Sequence, residues 1–169
     1  MAEVQELIPG ARRALFRRYH LGGCSSCAFS PDETLEQLSA RNEIQIAELI
    51  DHLQSSHEQD LALLISAGEV QSWLAEKKNF LLLDVRSREE FEAVKIDGAQ
   101  FLSQETVQTL MTGDRTIPVV FVDHEGKHAL DTAAYFQGHG FTQVHCLRGG
   151  IDAWALEVDP AMPRYKIER

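Results

Sequence analysis

The run Val119-Val120-Phe121-Val122 passes into Asp123-His124-Glu125-Gly126-Lys127-His128 and then into Ala129-Leu130-Asp131-Thr132-Ala133-Ala134-Tyr135-Phe136. The leading apolar residues, mostly β-branched, read as a buried strand, and the Ala/Leu/Tyr/Phe pattern behind them reads as a helix. Between the two lies a six-residue turn with one glycine. In such a turn successive backbone N–H groups can point inward, and the start of the helix adds a positive partial charge. The turn is therefore a ready cradle for an anion, and Asp123 stands at its opening.

Around this stretch the same alternation repeats. Residues 62–65 form a short apolar strand, and Ser66-Ala67-Gly68-Glu69 is a capping box for a helix that buries Val70, Trp73 and Leu74. Phe80-Leu81-Leu82-Leu83-Asp84-Val85 has the length and apolar character of a strand, and Ser87-Arg88-Glu89-Glu90 is a second capping box behind it. The strand before the turn spans residues 117–122. Gly138-His139-Gly140 ends the next helix, residues 142–147 return as a strand, and Gly149-Gly150-Ile151-Asp152-Ala153-Trp154 makes a glycine turn and a short helix. Apolar strands separated by helices imply an α/β fold with a parallel sheet covered by helices on both faces.

Residues 61–158 resemble a rhodanese domain. The matching motifs are Leu83-Asp84-Val85-Arg86 with Glu90-Phe91, Ile96-Asp97-Gly98-Ala99, the strand–turn–helix quoted above, and Gly149-Gly150-Ile151 with Trp154, in the family's order and spacing. The sequence holds no internal repeat, so the resemblance implies a single rhodanese unit. It also implies an activity: a cysteine thiolate takes a sulfane sulfur from a donor such as thiosulfate and passes it to an acceptor. In that chemistry the loop amides and a terminal arginine hold the anionic donor and favour thiolate. Family loops commonly read Cys-Arg-x-Gly-x-Arg. The loop here has the sulfurtransferase length and keeps Gly126, but Asp123 stands in the place of the cysteine and His128 in the place of the arginine.

A carboxylate oxygen cannot carry a transferable sulfane sulfur, so rhodanese catalysis at Asp123 is not expected. An ionised Asp123 can instead accept the inward N–H bonds itself, and with Glu125 it would repel thiosulfate, partly offset by Lys127, His124 and His128. Three other uses of these residues stay open. The Asp123-x-Glu125-Gly126 sequence after a strand suits an aspartyl-phosphate nucleophile. Asp123, His124 and His128 are residue types that ligate metals. Cys146, in the following strand, reads as a small buried residue or a relocated nucleophile.

The first third of the chain has a different character. A helix is expected over residues 8–19, with Ala11, Ala14, Leu15 and Phe16 on its apolar face and Arg12, Arg13, Arg17 and Arg18 beside them. His20-Leu21-Gly22-Gly23-Cys24-Ser25-Ser26-Cys27 follows as a glycine-rich turn with a C-x-x-C. Ser30-Pro31-Asp32-Glu33 reads as the capped start of a helix using Leu35 and Leu38 and ending near Asn42. Ile46, Leu49, Ile50 and Leu53 mark another helix, and the polar run over residues 54–60 reads as a linker. The expected organisation is a helical Cys-x-x-Cys domain over residues 1–58 and a rhodanese-like domain over 59–169. Pro9-Gly10-Ala11, the Cys24/Cys27 turn and Thr34-Leu35-Glu36 resemble the helical module at the N-terminus of iron–sulfur-cluster repair proteins.

Cys24 and Cys27 are the thiol pair of the chain. The neighbouring arginines and His20 would favour thiolate. A redox disulfide, a persulfide carrier, half of a metal or iron–sulfur site, and inert packing all stay open; two cysteines alone do not fill a four-ligand metal site. No cofactor is assigned. The net charge of −10 and a pI near 5.1 argue against a general nucleic-acid or anionic-membrane binder. No apolar run approaches the roughly 20 residues that span a bilayer. The acidic start Met1-Ala2-Glu3-Val4-Gln5-Glu6 lacks a signal-peptide pattern, so a cytoplasmic location is expected. Three cysteines, an odd number, suit reduced thiols better than a disulfide framework. The expectation is a catalytically degenerate rhodanese-like binding or regulatory module, the alternative a sulfurtransferase or sulfur relay with its persulfide on Cys24/Cys27. The protein partner or sulfur acceptor is left open.

Overall fold

The computed structural model describes residues 1–22 and 29–165 and divides into two compact units, Met1–Ala62 and Leu63–Arg169. The first unit holds α1 (Ala2–Leu7), α2 (Ala11–Tyr19), α3 (Leu35–Arg41) and α4 (Ile46–Ala62) around Leu15, Leu38, Leu49 and Leu53. The expected capping box at Ser30 is not formed. Thr34 caps α3 instead: its hydroxyl accepts from the Gln37 N–H, and the Gln37 side chain accepts from the Thr34 N–H. Glu33, just before that cap, pairs with Arg41 in the last turn of α3 through two 3.0 Å contacts.

The polar run over residues 54–60 is helix, not linker. No glycine or proline interrupts α4, and Asp60 in its last turn is buried and bonded to Arg13 on α2. The change between units thus falls at residues 62–63. Of the four apolar residues that mark α4, Leu49 and Leu53 are buried, whereas Ile46 and Ile50 stay exposed.

In the second unit the strands are β1 (Leu64–Ile65), β2 (Leu81–Asp84), β3 (Gln100–Phe101), β4 (Val119–Val122) and β5 (Val144–Leu147). They form one parallel sheet in the order β1-β5-β4-β2-β3, with β4 in the centre. Every residue of β4 is buried, and alternate side chains serve opposite faces. Val119 and Phe121 pack with α7 (Gln104–Thr112) and α8 (Ala129–Gly138) through Leu110, Ala133 and Phe136. Val120 and Val122 pack with α5 (Ala67–Ala75) and α9 (Gly150–Glu157) through Val70, Ile151 and Trp154. A strand buried on both faces has no polar alternation, which is why β4 reads as a continuous apolar run. The α/β parallel-sheet class is as expected.

The capping boxes at Ser66 and Ser87 both form, starting α5 and α6 (Arg88–Ala93). α1, α7 and β3 were not anticipated. α7 carries its own signal, a Ser103 cap with Val107, Leu110 and Met111 at helical spacing; β3, one polar and one apolar residue, carries none. No helix among the described residues is long and apolar enough to cross a membrane.

Candidate functional site

β4 ends at Val122, in register with Asp84 at the end of β2, so the loop Asp123–His128 leaves from the carboxyl edge of the central strand. In open parallel sheets that edge is where ligands bind. Asp123 is only 3% exposed. Its carboxylate faces the inside of its own loop: Oδ1 accepts from the Gly126 N–H at 2.5 Å, and Oδ2 from the N–H groups of His128 at 2.6 Å and Ala129 at 3.2 Å. One of these donors belongs to the first residue of α8, so the helix start contributes to holding the charge. The anion in the cradle is the loop's own side chain.

Two glycines make the geometry feasible. Gly126 has φ +82°, and a Cβ there would meet the Gly149 nitrogen at 2.6 Å. Gly150 has φ +59°, and a Cβ there would meet the carbonyl oxygens of Asp123 and His124 at 2.5 Å. The loop and the glycine turn before α9 therefore touch backbone to backbone. The first turn of α9 secures the contact, with the Ile151 N–H donating to Asp123 O at 2.9 Å and the Asp152 N–H to His124 O at 3.2 Å.

The remaining loop side chains point elsewhere. Glu125 and Lys127 are exposed and 3.3 Å apart, a surface pair of small energetic weight. His128 is exposed. The His124 ring lies against the Tyr165 ring, with centroids 4.5 Å apart. Among the described residues no three His, Cys, Asp or Glu side chains are grouped to hold a metal, so Asp123, His124 and His128 do not assemble as a ligand set. Cys146 is fully buried in β5 within the core beside Phe121, away from solvent. Cys24 and Cys27 lie outside the described residues. Before them, Arg12 donates from Nε and Nη2 to the Gly22 carbonyl at 3.0 and 2.9 Å.

Beside the loop lies a polar network that sequence reading did not assign. Arg86 is bidentate to Asp84, with contacts of 3.0, 3.1 and 2.6 Å, and also donates to Val94 O at 2.7 Å. Its remaining Nη1 donates to the Tyr165 hydroxyl at 2.7 Å, which in turn donates to Glu90 Oε1 at 2.7 Å. Burial works against the Arg86 charge, but Asp84 and Tyr165 more than compensate and raise its pKa. Burial, together with the bond to Glu90, pushes the Tyr165 phenol up. Burial also acts to raise Glu90, yet its bonds from Tyr165 and Ser87 prevail and hold it below the usual carboxylate range. Arg164, next to Tyr165, is bidentate to Asp152 on α9 at 2.7 and 2.9 Å. The sequence signal for Asp84 and Arg86 is the charged pair closing an apolar run. Tyr165 has no local signal, because it sits 79 residues from Arg86.

Known proteins match this architecture. The family model described as "Rhodanese-like domain" matches residues 66–157, more than half of the chain. A Mycobacterium tuberculosis protein named "Probable adenylyltransferase/sulfurtransferase MoeZ" is 31% identical over 106 residues, 60% of this chain and 26% of its own length. The chain thus spans about a quarter of that relative. The "Thiosulfate sulfurtransferase GlpE" of Pseudomonas putida is 30% identical over 82 residues, 48% of this chain and 74% of its own. The crystal structure of the Alr3790 protein from Anabaena sp. superposes with a TM-score of 0.51 at 22% identity, covering 61% of this chain and 82% of that one, a likeness of fold alone. By the family match over residues 66–157, the chain belongs to the rhodanese-like domain family.

Proposed function

We propose that this chain is a catalytically degenerate rhodanese-like protein: its loop carries no sulfur, and it acts as a binding or regulatory module in sulfur or redox metabolism. The observation that supports this most directly is the Asp123 carboxylate, which occupies with its own two oxygens the amides of Gly126, His128 and Ala129. A nucleophilic thiolate is what family chemistry requires at that position, and a carboxylate cannot replace it as a sulfur carrier. The same negative charge would repel thiosulfate from the loop. The setting in sulfur metabolism rests on the relatives whose names describe sulfurtransferases.

A second reading places a persulfide on Cys24 or Cys27, making the chain a sulfurtransferase or sulfur relay. Arg12 favours it, since its guanidinium is fixed on the Gly22 carbonyl, two residues before Cys24 in the sequence, and a cation beside a thiol favours thiolate. The test is a thiosulfate:cyanide assay joined to mass spectrometry of the intact protein. The first reading expects no thiocyanate turnover and no sulfur added. Turnover by wild type that disappears on Cys24→Ala or Cys27→Ala would select the second. Iron and zinc analysis of protein purified without chelator tests for a metal at the same pair.

A further inference from the structure

Residues 163–165 follow α9 without regular secondary structure, and the contacts described for Arg164 and Tyr165 run to one small area of the second unit. Arg164 is bidentate to Asp152, Tyr165 lies on the His124 ring, and the Tyr165 hydroxyl accepts from Arg86 and donates to Glu90. We propose that Pro163-Arg164-Tyr165 is an intramolecular ligand, filling in cis a recognition surface for a peptide that carries a guanidinium followed by a phenol. This rests on the reading of the loop as a binding module, and it names both the partner chemistry and the regulation of that module.

Two observations support a releasable ligand over a piece of core. Pro163 and Arg164 are exposed, whereas Met162 just before them packs against the core and fixes where the segment departs. Its removal also leaves no buried charge alone. Arg86 keeps both Asp84 oxygens and the Val94 carbonyl, and Glu90 keeps the Ser87 N–H at 3.0 Å.

The surface beneath has the matching chemistry. A carboxylate takes a guanidinium in bidentate geometry. An imidazole ring takes an aromatic face. The Arg86/Glu90 pair offers one donor and one acceptor, which a single phenol hydroxyl satisfies at once. His124 Nδ1 is buried with no hydrogen-bond partner among the described residues, and the Tyr165 ring lies against this imidazole at a tilt of 54°. Lifting the segment would therefore expose the second residue of the Asp123–His128 loop. A cis segment on a short tether acts at an effective concentration on the order of millimolar, which a partner must exceed in concentration or affinity.

The test is the rate at which diethyl pyrocarbonate modifies His124, read by peptide mass spectrometry, with the exposed His128 and His139 as internal references. In Arg164→Ala/Tyr165→Ala the His124 rate should rise several-fold while the references do not move. Asp152→Asn, which leaves the segment intact but weakens its anchor, should give a smaller rise. A synthetic peptide with the sequence of residues 161–165, at several millimolar, should slow His124 modification in the double variant and leave wild type unchanged. Equal His124 rates in all three proteins, or a peptide without effect on the double variant, would overturn the proposal. Neither readout depends on sulfur transfer, so failure of this proposal is distinguishable from failure of the degenerate-loop reading, which the thiocyanate assay tests.

Discussion

Asp123 fills the inside of its own loop. Its two oxygens satisfy three inward N–H groups at a position that is almost fully buried. Replacing it by alanine leaves those donors without their charged acceptor, and Asp123→Ala should lose about 2–3 kcal/mol of stability in a denaturant titration. A stability within about 0.5 kcal/mol of wild type would mean that the carboxylate does not hold the loop. Gly126→Ala should cost at least about 2 kcal/mol, since a left-handed backbone and a 2.6 Å approach to Gly149 both oppose a side chain. Both residues are legible in the sequence, as a carboxylate and a glycine spaced inside one turn. The Arg86–Tyr165–Glu90 network is not. Its members come together only when the sheet and the residues after α9 are in place, and no periodicity reports contacts over 75 residues and more.

Among the elements, β4 carries the loop and β5 flanks it. Phe121 is wholly buried against Phe136 at 5.0 Å, and Phe121→Ala should cost about 3–5 kcal/mol and broaden or abolish the unfolding transition of the second unit. His145 on β5 sets a pH dependence. Burial, then the nearby Lys78 charge, lowers its pKa against a weaker opposing effect of Glu69. The folded state thus binds the proton less readily than the unfolded chain. The contribution is fully present above about pH 6.5, declines as pH falls below that, and levels off below the folded-state value. Denaturation at about pH 7.5 and about pH 5.5 should show a drop for wild type that is reduced in His145→Phe. An undiminished drop would place the titrating group elsewhere. Strands buried on both faces were readable as apolar runs, and the helix starts at Ser66 and Ser87 as capping boxes. The start at Thr34 was not, because Ser30 and Thr34 both offer a capping pattern and only tertiary structure chooses between them. The polar residues at 54–60 looked like a linker for a related reason: composition alone cannot separate a solvated helix face from a loop.

For the whole molecule, an α/β unit of the rhodanese-like family follows a helical unit that brings the thiol pair. The class of fold was legible throughout residues 61–158 because glycine turns, capping boxes and apolar strands agreed with one another. The proposed function divides along the same line: on that reading the loop keeps the length and glycine of the family resemblance and differs in chemistry at its first position. If only Asp123 and His128 separate it from a sulfur carrier, restoring both should restore transfer. The most direct measurement is therefore thiocyanate formation from thiosulfate and cyanide in a Cys24→Ser/Cys27→Ser background, with and without Asp123→Cys/His128→Arg. The account expects no turnover with Asp123 in place and measurable turnover, with sulfur added to the protein, after the double reversion. Turnover with Asp123 still in the loop and both N-terminal cysteines removed would contradict it.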